Sequence, residues 1–389
     1  MQTITLREAT PTRGCGISPA TAHWLTAKKI ATVQPSATAG YFDIFTGNVC
    51  GIVSSHGTQF EIAPKLPTHR LISLLTYSRT GLTWEASPTQ QQVRDVVDLL
   101  MVYFASELSE ALRFGLLRGY ETTSKQSRFY RGRLRLKDQL SRHQMRIQPL
   151  EVQYQNFTSN IPENQILLAA VNTALDTLTK CSDTAVETAV RQLRRARATF
   201  RDVTTLGLHE QAPRWSPNAL NKKFHHPLDI AELILSSKGI EAQAGRQRSQ
   251  GVLIETWRVF ETAVARAFRD SLPAGSVSTQ QSRRLSPDTA ATIRPDLVIS
   301  DEYGPCAVAD TKYKDGNSLH RDDLYQAVVY ATVYGLSSST LIYAGRGSDR
   351  DIRISGSDIT IQIRFADTSL PLSEFQARVA EIAHHMFNR

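Results

Sequence analysis

Apolar and polar positions repeat with two different periods along this chain, and each change of period marks a new element. Residues 1–60 contain short strand-like runs, TITLRE, YFDIF and VCGIVSS, separated by Gly, Pro and Thr. Over 69–79 and 91–116 apolar residues instead recur every three to four positions, as they do in amphipathic helices. The same spacing predicts helices over 162–181 and 184–206.

From residue 251 onward the pattern alternates between helix and strand. A helix over 251–272 precedes the strand VSTQQS, two short apolar runs and a helix over 321–336. The strands STLIYAG and ITIQIRF and a closing helix over 371–387 follow. We therefore predict an α+β multidomain chain with a β-rich or mixed N-terminal part, a helical middle and a C-terminal α/β core. The predicted domains are 1–120, 121–225 and 226–389.

The segment RPDLVISDEYGPCAVADTKYK (294–314) predicts a β-hairpin with charged residues inside its strands. Two apolar runs of strand length, 296–300 and 306–312, flank the turn-forming sequence DEYGP. With the turn centred on Tyr303, residue 296 lies opposite residue 310 in the antiparallel pair. A slip of one residue in this register would move the charged groups to opposite faces.

In that register Asp296 faces Asp310, and Lys312 projects from the same face as Asp310 because it is two residues further on. Residues directly opposite on one face have Cβ atoms about 5 Å apart, so the two carboxylates repel each other, and a divalent cation relieves the repulsion. Mg²⁺ favours one or two carboxylates together with waters and phosphate oxygens. Beside such a metal, Lys312 would orient or deprotonate an attacking water. The alternative is a surface hairpin with an ordinary Asp–Lys pair.

The helix predicted over 251–272 carries an acidic residue within its apolar stripe. Glu261 is four residues from Trp257 and three from Val264, both of which belong to the stripe. A buried carboxylate needs a partner, so Glu261 is either a third acid facing the same metal or an edge residue whose carboxylate reaches solvent. Glu255 on the same helix competes for this role but lies outside the stripe.

The helix predicted over 321–336 has acidic residues at its N-terminal end and a polar pair further along. Asp322 and Asp323 suit its positive N-terminus. Gln326 and Tyr330 are four residues apart and share a face. Next to an acidic cluster they would hold the lysine, a water or a DNA phosphate.

The order of these residues resembles the PD-(D/E)xK nuclease superfamily, and the Gln-x-x-x-Tyr pair resembles its RecB-like branch. More narrowly, ADTKYK followed by DLYQAVVYA is similar to the C-terminal half of McrC, the nuclease subunit of the McrBC modification-dependent (type IV) restriction system. The resemblance covers most of the chain from about residue 50. Three other segments share it: EIAPKLPTHRLISLLTYS (61–78), IPENQILLAAVNTAL (161–175) and HHPLDIAELIL (225–235).

The resemblance implies a C-terminal restriction-endonuclease-like core and a metal-dependent endodeoxyribonuclease used in antiviral defence. Asp296, Asp310 and Glu261 would bind Mg²⁺, with Mn²⁺ as a substitute, and Lys312 would support the nucleophilic water. Gln326 and Tyr330 would be supporting residues. The implied partner is a McrB-type AAA+ GTPase oligomer that reads modified cytosine, and the N-terminal half of this chain would dock onto it and stimulate it.

Charge favours a polyanionic partner. The 389 residues carry a net charge of +8, with 45 Lys and Arg against 37 Asp and Glu. Basic residues concentrate over 113–146, where FYRGRLRLKDQL alternates apolar and basic positions like a strand with one solvated face. That face predicts a contact with double-stranded DNA, and the alternative is a plain solvated surface. The candidate DNA-binding residues are Arg128, Arg131, Arg133, Arg135 and Lys137.

Several classes of protein are disfavoured by what the sequence lacks. There is no apolar run near 18 residues and no signal-peptide pattern, so we expect a cytoplasmic protein without a membrane segment. The chain has no G-x-x-x-x-G-K-[ST] motif, so it should bind no nucleotide itself. Without C-x-x-C spacing, neither zinc nor an iron–sulfur cluster is expected. The scattered cysteines are Cys15, Cys50, Cys181 and Cys306.

Two other functions remain open at this stage. A stand-alone RecB-like repair or recombination nuclease would use the basic stretch as its own DNA groove. A non-catalytic scaffold that activates a motor would keep its function without the acidic residues. A neighbouring AAA+ gene favours the restriction subunit, and alanine substitution of Asp310 or Lys312 separates a nuclease from a scaffold.

Overall fold

The computed structural model describes residues 2–81, 83, 86, 90, 95–143, 148–178, 183–207, 212–238, 252–314 and 319–388. The chain forms two compact units, one from Met1–Leu100 with Ala244–Arg389 and one from Met101–Gln243. The predicted α+β class is confirmed at this coarse level, because both units combine helices with sheets. The three-part division of the sequence stays a prediction. Cys181 lies outside the described residues.

The described elements of the first part of the chain are β1 (Gln2–Arg7), β2 (Pro11–Cys15), α1 (Pro19–Ala27), β3 (Ala31–Pro35), β4 (Phe42–Thr46), β5 (Val49–Ser55), β6 (Thr58–Ala63), α2 (Thr68–Thr80) and α3 (Val96–Leu112). The middle part contains β7 (Gly119–Ser127), β8 (Arg133–Leu134), α4 (Leu136–His143), β9 (Leu150–Thr158), α5 (Pro162–Thr177), α6 (Thr184–Thr199) and α7 (His225–Lys238). The last part contains β10 (Val252–Glu255), α8 (Thr256–Ser271), β11 (Val277–Thr279), β12 (Arg283–Arg284), β13 (Thr292–Ile293), β14 (Leu297–Asp301), β15 (Gly304–Lys312), α9 (Arg321–Tyr334), β16 (Ser338–Tyr343), β17 (Arg350–Arg353), β18 (Thr360–Phe365) and α10 (Leu372–Phe387).

The N-terminal strands of the first unit form two sheets with one apolar core. The four-stranded sheet has the order β1-β6-β5-β10, and the three-stranded sheet has the order β2-β4-β3. Their alternating residues bury Leu6, Ile44 and Phe60 together with Leu25 of α1. The β-rich N-terminal pattern predicted from the sequence is therefore confirmed.

The strand β10 corrects one sequence prediction. Residues 252–255 were expected to begin a helix, but they pair antiparallel with β5, and α8 begins only at Thr256. Trp257, expected within the apolar stripe of that helix, is 38% exposed. The partner strand is about two hundred positions earlier in the chain, so local periodicity carried no sign of the pairing.

The C-terminal half of the first unit is built around a six-stranded sheet with the order β11-β14-β15-β16-β18-β17. β11, β14 and β15 are antiparallel neighbours, whereas β15, β16 and β18 run parallel. α9 connects β15 to β16 and packs on Leu341, Ile361 and Ile363. α8 packs against α10, with the rings of Phe260 and Phe375 in an edge-to-face contact at 6.3 Å.

The second unit combines the sheet β7-β9-β8 with helices α5, α6 and α7. The basic run FYRGRLRLKDQL was expected to be one strand, and this is wrong. Only Arg133–Leu134 is a strand, and α4 starts at Leu136. Within the described residues of the chain, no helix is long and apolar enough to cross a membrane.

Candidate functional site

The hairpin β14–β15 has the register expected from the sequence. Leu297 pairs with Ala309 and Val298 with Val308, so the chain enters the hairpin with Asp296 beside Asp310. A bulge after Ile299 shifts the pairing by one residue near the turn, away from the acids. The two carboxylates are therefore brought into one region of the unit, as predicted.

Asp296 is held from two sides. Its Oδ2 accepts hydrogen bonds from the backbone N–H and the hydroxyl of Thr311, both at 2.7 Å. Its Oδ1 accepts a bond of 2.8 Å from the side-chain amide of Gln280. These contacts fix the rotamer of the carboxylate at the mouth of the hairpin.

Glu261 of α8 belongs to the same cluster. The Gln280 amide that binds Asp296 also donates to Glu261 Oε1, so one amide bridges the two carboxylates. Burial, followed by the charge of Asp296, raises the pKa of Glu261. Glu255, the competing residue, forms an ion pair of 2.9 Å with Arg258 instead.

Asp310 is the most enclosed of these acids, with 4% of its surface exposed. Burial and the charge of Asp296 raise the pKa of Asp310 to about 6, against the opposing effect of Lys312. The ammonium of Lys312 forms an ion pair with Asp310 Oδ2. The predicted projection of Asp310 and Lys312 from one face is thus confirmed by their contact.

Lys312 begins a chain of hydrogen bonds that leads onto α9. Its Nζ donates to Gln326 Oε1 at 2.7 Å, and Gln326 Nε2 donates to the Tyr330 hydroxyl at 2.6 Å. Tyr330 in turn donates to the backbone carbonyl of Arg294 at 3.2 Å. The two residues predicted to share a helical face therefore meet, and together they position the ammonium.

Sequence reasoning missed the role of Asp323. It was expected only to complement the N-terminus of α9, but it is 6% exposed and faces the lysines. Its Oδ2 binds Lys314 at 2.7 Å and accepts from the Tyr343 hydroxyl at 3.0 Å, while its Oδ1 lies 3.7 Å from Lys312. The spacing of three residues between Asp323 and Gln326 on a helix was the available signal, because it places both on one face.

Gln280 was missed as well. Its backbone has φ of +53°, a left-handed conformation that a side chain disfavours. Its N–H donates to the carbonyl of Asp296 at 3.2 Å, and its own carbonyl accepts from Arg294 Nε at 3.0 Å. Strained backbone held by several bonds next to titratable groups is a feature of functional sites.

The donor chemistry of the cluster fits a hard divalent cation. The acids offer only oxygen ligands, and Mg²⁺ needs no more than one or two carboxylates when waters and phosphate complete its shell. Among the residues that the structure describes, no group of three or more His, Cys, Asp or Glu side chains is arranged to hold a metal alone. A cation here would therefore rely on two carboxylates and added oxygen ligands.

The predicted DNA-binding residues lie in the second unit. Four of them are exposed and Arg135 is half-buried. Arg131 stacks over the ring of Tyr154 at 4.2 Å, and Arg135 pairs with Asp138 at 2.6 Å. Their arrangement on one strand face is corrected above, because Lys137 belongs to α4 and only Arg133 lies in a strand. Their contact with DNA stays a prediction.

Comparison with known proteins gives one family and two solved structures. The family model described as "McrBC 5-methylcytosine restriction system component" matches residues 44–344. A chain of the complex of Thermococcus gammatolerans McrB AAA+ hexamers with bound McrC has a TM-score of 0.62 and 17% identity, with 98% of this chain and 100% of that chain covered. A chain of the cryo-EM structure of the Thermococcus gammatolerans McrBC complex has a TM-score of 0.45 and 18% identity, with coverage of 73% and 90%. No curated protein matches the sequence.

Proposed function

Because the chain belongs to the family of McrBC 5-methylcytosine restriction system components, we propose that it is the Mg²⁺-dependent DNA endonuclease subunit of a GTP-dependent restriction complex. The complex would target DNA that carries modified cytosine. The C-terminal half of the first unit would be the PD-(D/E)xK nuclease core, and Asp296, Asp310, Lys312 and Glu261 would carry the reaction.

The observation that supports this proposal is the convergence of three carboxylates and one ammonium from three separate parts of the fold. Asp296 precedes β14, Asp310 and Lys312 lie on β15, and Glu261 lies on α8. When bound, Mg²⁺ would stabilise the negative charge that develops on the scissile phosphate and activate a water. Two carboxylates of this cluster at a time would hold the ion, with waters and phosphate oxygens as its other ligands.

Lys312 would act on the attacking water or on a phosphate oxygen. Its ammonium is held by contacts with Asp310, Gln326 and Asp323. Tyr330 fixes the amide of Gln326 and thereby its carbonyl oxygen toward the lysine. Such support by neighbouring side chains keeps the reacting group within reach of the phosphate throughout the reaction.

The proposed partner is a McrB-type AAA+ GTPase. One solved structure with a similar fold, reported above, is a chain from an assembly of McrB AAA+ hexamers with bound McrC. By the same proposal, the N-terminal half docks onto the motor and stimulates its GTPase. Double-stranded DNA would contact the basic residues Arg128, Arg131, Arg133, Arg135 and Lys137, whose charges neutralise phosphates.

The test is cleavage of methylated and unmethylated DNA by the chain co-purified with the neighbouring AAA+ protein, in the presence of Mg²⁺ and GTP. We expect cutting of methylated DNA that Asp310→Ala and Lys312→Ala abolish while GTPase stimulation survives. Asp358→Ala, an exposed acid of the same unit, serves as the matched control and should cut normally. Cleavage that survives Asp310→Ala would refute the site, and cutting without motor or GTP would favour a stand-alone nuclease.

A further inference from the structure

A small hairpin interrupts the chain between Gln280 and Arg294, where β11 would otherwise lead straight to β14. β12 and β13 pair through Arg283 with Ile293 and Arg284 with Thr292, separately from the six-stranded sheet. The N–H of Leu285 donates to the carbonyl of Ala291 at 2.9 Å. The segment is therefore a folded two-stranded arm.

Both ends of this arm are part of the candidate site. Gln280, at its start, bridges Glu261 and Asp296 with its amide. Arg294, at its end, donates from Nε to the carbonyl of Gln280 at 3.0 Å, and its own carbonyl accepts from Tyr330 at 3.2 Å. The arm therefore begins and ends next to the acidic residues of the candidate site.

The arm is positively charged and directed to solvent. Residues 281–295 contain three arginines and one acid, Asp288. All three arginines are exposed, and the guanidinium of Arg283 lies 4.8 Å from the ring centre of Tyr334, one turn beyond Tyr330 on α9. The basic groups thus stand beside an acidic cluster, which would repel a polyanion if nothing positive flanked it.

We propose that the β12–β13 hairpin is a DNA-contacting arm that grips backbone phosphates next to the scissile bond through Arg283 and Arg284. This inference rests on the proposed nuclease function. A two-stranded ribbon fits a groove of duplex DNA, and the planar guanidinium binds phosphate through two parallel hydrogen bonds. Contacts of this kind position the duplex without reading its sequence, so the arm holds DNA regardless of the modified base.

The experiment measures the salt dependence of duplex binding by the full chain in the absence of divalent cations, so that no cleavage occurs. The slope of log affinity against log salt is negative, and each lost phosphate contact makes it shallower by about 0.9. Arg283→Ala with Arg284→Ala should therefore reduce the magnitude of the slope by about 1.8. For each protein, the affinity at 50 mM salt is divided by the affinity at 200 mM salt. This ratio should be about twelvefold smaller for the double variant than for the wild type.

Two matched variants separate the arm from general effects. Arg350→Ala with Arg353→Ala removes the same charge from β17, at the opposite edge of the sheet, and should leave the slope unchanged. Arg283→Lys with Arg284→Lys keeps the charge and should keep the slope. The inference is overturned if the arm variant keeps the wild-type slope, if the β17 variant loses as much, or if the lysine variant behaves like the alanine variant.

Parallel cleavage assays with motor, GTP and Mg²⁺ distinguish the two levels of the proposal. A wild-type chain that never cuts, but whose salt slope still depends on Arg283 and Arg284, overturns the nuclease function and leaves the arm as a DNA contact. A chain that cuts, with a slope indifferent to both arginines, overturns the arm alone.

Discussion

Removal of the Gln280 side chain should loosen the candidate site in a measurable way. The amide makes two hydrogen bonds to carboxylates, each worth about 1.5–3 kcal/mol when the acceptor is charged. Both carboxylates are only half-buried, so water replaces part of what is lost. We therefore expect Gln280→Ala to lower the free energy of unfolding by about 1.5–3 kcal/mol.

The backbone of Gln280 supplies a second, independent comparison. In an ordinary strand, a protein with glycine at a given position is less stable than the same protein with alanine there by about 0.5–1 kcal/mol. At φ of +53° the order should reverse, because a left-handed conformation costs a residue with a Cβ about 1–2 kcal/mol. Gln280→Gly should therefore be more stable than Gln280→Ala by roughly 0.5–1 kcal/mol.

Urea unfolding followed by tryptophan fluorescence is a suitable assay, because Trp257 lies one turn before Glu261 on α8. Gln281→Ala, the exposed neighbour, is the matched control and should unfold like the wild type. The difference in free energy of unfolding between the wild type and Gln280→Ala should become smaller in saturating Mg²⁺, because the cation supplies positive charge between the acids. An alanine variant as stable as the wild type would refute the bridging geometry, and an alanine variant more stable than the glycine variant would refute the left-handed backbone at residue 280.

Three further predictions concern the scaffold around the site. Asp323→Asn should lower cleavage by about 10- to 100-fold while the Kd for DNA measured without Mg²⁺ stays unchanged, because Lys312 and Lys314 lose a buried counter-charge. Burial raises the pKa of Glu8, so the contribution of Glu8 to stability should be fully present below its ordinary pKa of 4.5 and be lost as the pH rises through the folded value. Urea midpoints across pH 4–8 test this, and Glu8→Gln should make the midpoint less dependent on pH than it is in the wild type. Gly51→Ala would place its Cβ 2.0 Å from the carbonyl of Val252, so β10 should detach from β5, lowering the melting temperature far more than Gly356→Ala, which meets open space.

The sequence predicted the parts of the site that depend on short-range geometry. Register in a hairpin and spacing on a helix are local properties, so the Asp296–Asp310 and Gln326–Tyr330 pairs followed from residue numbers alone. The resemblance to McrC, carried by ADTKYK and DLYQAVVYA, is confirmed by the family match over 44–344. The roles of the individual site residues stay predictions.

The parts that were missed depend on contacts between distant segments. Gln280 had no motif to mark it, because its importance comes from where β11 ends relative to α8 and β14. The β10 strand was mistaken for the start of a helix, since its partner β5 lies in the N-terminal sheet. The prediction for the basic run in the second unit was wrong for another reason. Its alternating pattern also fits a two-residue strand followed by a short amphipathic helix.

The charges of the cluster bear on how it would receive a cation and a phosphate. Lys312 contacts Asp310 and Asp323, and Lys314 contacts Asp323, whereas Glu261 and Asp296 share only the amide of Gln280. Burial and the charge of Asp296 together make Asp310 resist ionisation. A cation would relieve that cost and would let the acidic cluster accept a phosphate. The arginines of the neighbouring arm would then meet the phosphates on either side, which an acidic cluster could not attract by itself.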